Sequence, residues 1–175
     1  MTNRAFIQHD ETTAPAASRP RMAAVRQQFG LLPSPIARLA AAPAVLDAAL
    51  TGLAQFEASS LAPLEREVLA MTLGQHNGCH YCINLHRRLL RLHEAPKELI
   101  DALETGAPLA VPRLETLRRF VLELLARTGD PSSESWSEFL AAGFDRVQAL
   151  EIVQGIAAYT LTTFANRLTE APLDG

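Results

Sequence analysis

The chain reads as an all-α protein, a single-domain bundle of seven to eight helices, on three observations. Ala, Leu, Glu and Arg dominate, and all four sit high on the helix-propensity scale. Alternating β-branched runs, the mark of half-buried strands, are absent. Proline and glycine recur where they suit helix starts and stops. At 175 residues the chain is about one domain and long enough to bury a core.

The elements follow from that punctuation. Residues 1–20 are polar and rich in Ala, Pro and Thr, and are expected to form an irregular arm, with the folded domain over 21–175. Pro33 and Pro35 are expected to end a short helix near Met22–Phe29. Pro43 suits the first position of a helix through Glu57, because its missing N–H would be unpaired there anyway. Pro63 opens the next helix, with Glu65 and Glu67 in its early turns, where acids complement the dipole. Asn77-Gly78 breaks that helix or turns it sharply into another, which runs through Cys79 to about Leu92. Pro96 restarts the chain and Gly106 ends a short helix. After Pro112, Leu114, Leu117, Val121, Leu124 and Leu125 recur at helical spacing. Gly129-Asp130-Pro131 is a turn. A helix around Trp136 stops at Gly143, and Asp145 with Gln148 forms a capping pair for a last helix over 146–168.

Composition excludes several functions. With 48% hydrophobic residues the chain is not a disordered protein. Sixteen Lys and Arg stand against 19 Asp and Glu, a net charge of −3, so no basic footprint for nucleic acid exists. Asp10 and Glu11 interrupt the N-terminal stretch, which does not read as a signal peptide. The uncharged run 152–166 carries Gln154, Gly155 and several threonines, so it reads as a buried helix and not a membrane span. A cytoplasmic protein with reduced thiols is expected.

Chemistry concentrates in one segment. Residues 74–86 hold both cysteines and three of the five histidines, His76, His80 and His86. On a helix Cys79, Cys82 and His86 fall at i, i+3 and i+7 and share a face. Asn77-Gly78 upstream puts Cys79 at the helix start, where exposed N–H groups and the dipole lower a thiol pKa. His86, one turn past Cys82, is within reach of that sulfur as base or ion-pair partner. Glu67, on the preceding helix with Ala70, Met71 and Gly74 on its face, is either a solvated first-turn acid or a partner for His86. Glu65 is the surface alternative. Spacing alone leaves open inert buried thiols, a zinc site of Cys79, Cys82, His86 and Glu67, and a redox-active dithiol. His9 and His93 read as surface, and Trp136 as core or interface filling. Arg87, Arg88 and Arg91 read as a solvated or subunit-facing charged face.

The segment resembles a known family. Glu67, then Asn77-Gly78-Cys79-His80-Tyr81-Cys82, then His86 match the Glu…Cys-x-x-Cys-x-x-x-His pattern of the alkylhydroperoxidase D-like group in the carboxymuconolactone decarboxylase superfamily. Phe29-Gly30-Leu31-Leu32-Pro33, Leu64–Ala70 and Phe164–Leu168 resemble flanking segments of its peroxidase-related members, so the likeness spans roughly 25–170. The resemblance implies an all-α fold, a homo-oligomer (trimer or hexamer), and thiol-dependent reduction of a hydroperoxide with no cofactor or metal. It implies Cys82 as the attacking cysteine and Cys79, nearer the helix start and the surface, as the resolving one. It implies a proton relay of His86 and Glu67, and a dithiol or lipoyl-type electron donor. Tyr81 stands where the best-studied member has a histidine, and His80 does not replace that residue, since adjacent helix positions point about 100° apart. Tyr81, His80 and His76 are therefore read as neighbours of the site. Two other functions remain: a lyase acting on a muconolactone, against which the Cys-x-x-Cys pair argues, and a non-enzymatic redox-sensing or metal-binding module.

Overall fold

A computed structural model describes residues 6–174. Among these, nine helices and no strand are present. They are α1 (Arg19–Phe29), α2 (Ser34–Leu39), α3 (Pro43–Glu57), α4 (Pro63–His76), α5 (His80–Leu92), α6 (Lys97–Thr105), α7 (Pro112–Ala126), α8 (Ser133–Ala141) and α9 (Arg146–Leu168). The extra helix is α2. Pro35 lies in its first turn, where proline starts a helix as readily as it ends one, so Pro33-Ser34-Pro35 is a beginning and not a stop.

Local chemistry places the ends as the sequence predicts. Pro43, Pro63 and Pro112 open α3, α4 and α7. Asp145 accepts from the Gln148 N–H at 2.8 Å, and the Gln148 side chain accepts from the Asp145 N–H at 3.1 Å. Of the expected arm at 1–20, residues 1–5 lie outside the described residues. The rest is irregular up to Ser18, yet it is packed: Ala14 is buried, the His9 N–H reaches the Ala37 carbonyl, and Ser18 Oγ reaches the Ala40 carbonyl.

Helix α4 is the axis of the bundle. Val68 through Met71 and Leu73 have no exposed surface, and α3, α5, α6, α7 and α9 all pack against it. A helix buried on every side lacks a strong polar face, which is why its sequence is apolar beyond one stripe. Away from this axis, Phe120, Trp136, Phe139 and Phe144 stack between α7 and α8. No helix among the described residues is long and apolar enough to cross a membrane.

Candidate active site

The α4–α5 corner builds the site. Gly78 adopts φ +62°, the left-handed region that favours glycine, and turns the chain through Asn77-Gly78 into α5. Cys79 is the N-cap of α5 and not a first-turn residue: its Sγ accepts the Cys82 backbone N–H at 3.3 Å. Both cysteines are free thiols in the core.

One expectation about them changes. Cys79 is not the nearer to the surface: it is 1% exposed and Cys82 4%. Moreover it is Cys82 that lines a cavity of about 460 Å³, together with Tyr81, His86, Tyr159 and Asn166. The two sulfurs also differ electrostatically. The hydrogen bond shared with Cys82 lowers the Cys79 thiol to about 6 against the cost of burial, helped by the Cys82 N–H and the Asn166 amide. The same shared bond, with burial, pushes the Cys82 thiol up. One proton is therefore lost easily from the pair, and the remaining one is held between the sulfurs.

Glu67 is no solvated acid. It is buried with His86, and His86 Nδ1 donates to Glu67 Oε2 at 2.8 Å. That bond fixes the proton on Nδ1 and leaves Nε2 free for chemistry. The imidazole also stands edge-on to the Tyr159 ring, 5.2 Å between centroids. No hydrogen bond joins His86 to either sulfur, because Glu67 and Tyr159 hold the ring. Glu65, expected at the surface, is buried as well. It bonds the Ala62 N–H and pairs with Arg113 at 2.6 Å, a structural role at the start of α4. His76 and His80 are exposed and do not line the cavity. Among the described residues no three His, Cys, Asp or Glu side chains converge as metal ligands, so the four-ligand zinc arrangement is not assembled.

Tyr81 does belong to the site. It is half-buried, and its hydroxyl donates to Asp174 Oδ2 at 2.6 Å. Burial and the neighbouring Asp174 carboxylate push the Tyr81 phenol up, so it stays a neutral donor. Asp174 Oδ1 accepts from Ser34 Oγ at 2.6 Å and from the Ser34 N–H at 3.0 Å. Burial raises the Asp174 carboxyl, but these bonds outweigh it and the net direction is down. The C-terminal segment thus crosses the cavity mouth, with Leu173 and Asp174 in its wall. Most of the remaining wall is apolar, including Phe29, Leu31, Ile36, Leu50 and Leu53. Arg88 stands at the rim, and Arg87 is paired with Glu104.

Sequence reasoning missed three cavity residues, Tyr159, Asn166 and Asp174. Tyr159, Thr163 and Asn166 recur at i, i+4 and i+7 on the buried face of α9. Polar groups on that apolar face were the available signal.

The comparisons agree with this picture. No curated protein matches the chain. Solved structures with the same fold include an alkylhydroperoxidase AhpD core, a peroxidase-related protein of Ralstonia eutropha JMP134 (TM-score 0.84, 20% identity, 97% of this chain and 91% of that one). Another is a peroxidase-related protein of Silicibacter sp. TM1040 (TM-score 0.80, 17% identity, 99% and 94% covered). A third is a debrominase, a cysteine-to-alanine variant in complex with 2,3,4-tribromopyrrole (TM-score 0.78, 16% identity, 99% and 94% covered). The model of the carboxymuconolactone decarboxylase family matches residues 38–123, which hold Glu67, Cys79, Cys82 and His86. That segment belongs to the carboxymuconolactone decarboxylase family, carried here on the all-helical AhpD-like fold.

Proposed function

We propose that the protein is a thiol-dependent peroxidase or thiol–disulfide oxidoreductase that cycles Cys79 and Cys82 between dithiol and disulfide. The observation that carries this reading is the pair itself: two free thiols three residues apart at the start of α5, one of them lining a largely apolar cavity. The cavity-facing Cys82 is the nucleophile, as the family pattern implies, and Cys79 takes its proton through the shared hydrogen bond. Attack on the outer peroxide oxygen breaks the O–O bond, giving a Cys82 sulfenic acid and an alkoxide that is protonated to the alcohol. Cys79 then attacks the Cys82 sulfur, and water leaves as the disulfide closes. His86, held by Glu67 at 2.8 Å, supplies and recovers protons. An external dithiol, lipoyl-type or other, reopens the disulfide by exchange. In this reading the chain works as a homo-oligomer, for which the exposed Leu150, Phe164 and Leu168 of α9 offer an apolar surface.

The test is peroxide consumption with a dithiol reductant. Cys82→Ser abolishes it. Cys79→Ser, assayed without reductant, consumes about one equivalent and stops at the Cys82 sulfenic acid, where the wild type stops at the disulfide. Full turnover by both variants overturns the proposal.

One observation favours a second substrate class for the same dithiol. The apolar wall suits a flat halogenated ring, and one fold neighbour is a debrominase. Two thiols supply two electrons and two protons, so a bromoarene becomes the arene: one proton ends on the ring carbon that bromide leaves, the other is released with bromide, and a disulfide remains. Bromide release from 2,3,4-tribromopyrrole, set beside peroxide consumption, separates the two.

A further inference from the structure

The Glu…Cys-x-x-Cys-x-x-x-His pattern ends at His86, yet α9 supplies a side chain that touches both sulfurs. Asn166 is 7% exposed, and its Nδ2 lies 3.4 Å from Cys82 Sγ and 3.9 Å from Cys79 Sγ. We propose that Asn166 is a catalytic member of the dithiol site, its amide N–H bridging the two sulfurs and holding the charge of the thiolate on them.

Three observations carry this. First, the amide is turned with its donors toward sulfur even though this leaves Asn166 Oδ1 buried without a partner. An unpaired buried acceptor is unfavourable, so the sulfur side sets the orientation. The opposite orientation would set a carbonyl oxygen against a thiolate.

Second, the amide is held in place by a clamp that serves no other evident purpose. Thr163 and Arg167, three residues before and one residue after Asn166 on α9, both grip the turn before Cys79. Thr163 Oγ1 accepts from Asn77 Nδ2 at 2.8 Å, and Arg167 Nη1 donates to the Asn77 carbonyl at 2.6 Å. The clamp ties the last turns of α9 to the Asn77-Gly78 corner, fixing the amide relative to the sulfurs.

Third, among the described residues the amide is the one polar donor aimed at Cys82 Sγ from outside the motif. Hydrogen bonding to an anion favours the charged form, and the Asn166 amide acts in that direction on both thiols. The ionisable groups sharing the cavity are Glu57 of α3, Tyr81, His86 and Arg88 of α5, Tyr159 of α9, and Asp174, while Glu67 of α4 reaches His86. All of these stay unchanged when Asn166 alone is replaced.

The inference rests on the dithiol reading above, but its test reads sulfur ionisation and not turnover. Thiolate absorbance is titrated against pH in the reduced wild-type protein, in Asn166→Ala and in Asn166→Asp. Removing the donor raises the first thiol midpoint by about one pH unit. Asn166→Asp, which keeps the shape and replaces donor with carboxylate, raises it further. Wild-type midpoints in both variants, with native circular dichroism, overturn the proposal. A measurement on the unaltered protein guards against misfolded variants. The Asn166 side-chain amide resonances should shift with the thiolate midpoint and again when the disulfide forms; constant resonances overturn the proposal. The expected midpoint shifts in both variants, found together with no peroxide consumption by the wild-type protein, would instead sink the peroxidase reading and leave this one intact.

Discussion

At the residue scale, the site sorts its protons by contact. Cys79 is the N-cap of α5 and takes a backbone N–H, while Cys82 faces the cavity and shares with Cys79 the one proton the pair retains. Alkylation of the reduced protein by iodoacetamide should therefore rise as pH increases through about 6, with one thiol of the pair reacting first. The linkage has a definite sign. Folding depresses this thiol, so its contribution to stability is complete above the unfolded thiol value of about 8.5 and is lost as pH falls through the folded one. Denaturant titrations across that window, for wild type and Cys79→Ser, check it: the variant should lose the pH dependence. Glu67 and His86 form the other coupled pair. Glu67→Ala strands a buried imidazole, so a loss of about 2 kcal/mol in stability and about 100-fold in turnover is expected, read by urea unfolding and peroxide assay.

At the element scale, what matters is how closely α9 approaches its neighbours. A Cβ on Gly155 would lie 2.5 Å from the Phe56 ring, so α9 meets α3 across a bare backbone. Phe56 in turn packs edge-on to Tyr159 at 5.8 Å, and Tyr159 edge-on to His86 at 5.2 Å. A glycine far from the chemistry thus sets the wall against which the imidazole rests. Gly155→Ala should cost about 1–3 kcal/mol by overpacking. It should also lower turnover even in protein that remains folded, as judged by thermal melting beside the peroxide assay. Most helix boundaries were legible in the sequence, because Pro63, Pro112 and the Asp145–Gln148 pair act through their own backbones. The α2 start was not, since a proline that opens a helix and one that closes it look alike until the following turn is known.

At the scale of the whole molecule, distant segments meet over the dithiol. Asp174 ties the C-terminal segment to Ser34 on α2 and to Tyr81 on α5, and Arg38 on α2 holds the Thr169 and Glu170 carbonyls. This strap narrows the cavity mouth. Asp174→Ala removes three hydrogen bonds at once, so bulky maleimides should label the thiols several-fold faster while small alkylating agents gain little. Equal acceleration for both reagents would mean that the strap does not gate by size.

Local spacing along the chain accounts for the helical bundle, the α4–α5 corner and the grouping of Cys79, Cys82 and His86, which lies within about two turns, where geometry is nearly constant. Glu67, twelve residues before Cys79, was legible only as either a solvated acid or a partner for His86. Only the tertiary structure decided which sulfur faces the cavity, that His86 is held by Glu67 and Tyr159 away from hydrogen bonding either thiol, and that Asn166 and Asp174 join the site. The Glu67–His86 bond joins neighbouring helices 19 residues apart, and the Asn166–Cys82 and Asp174–Tyr81 bonds join segments more than eighty apart, so the packing of α4, α9 and the C-terminal segment selects these outcomes.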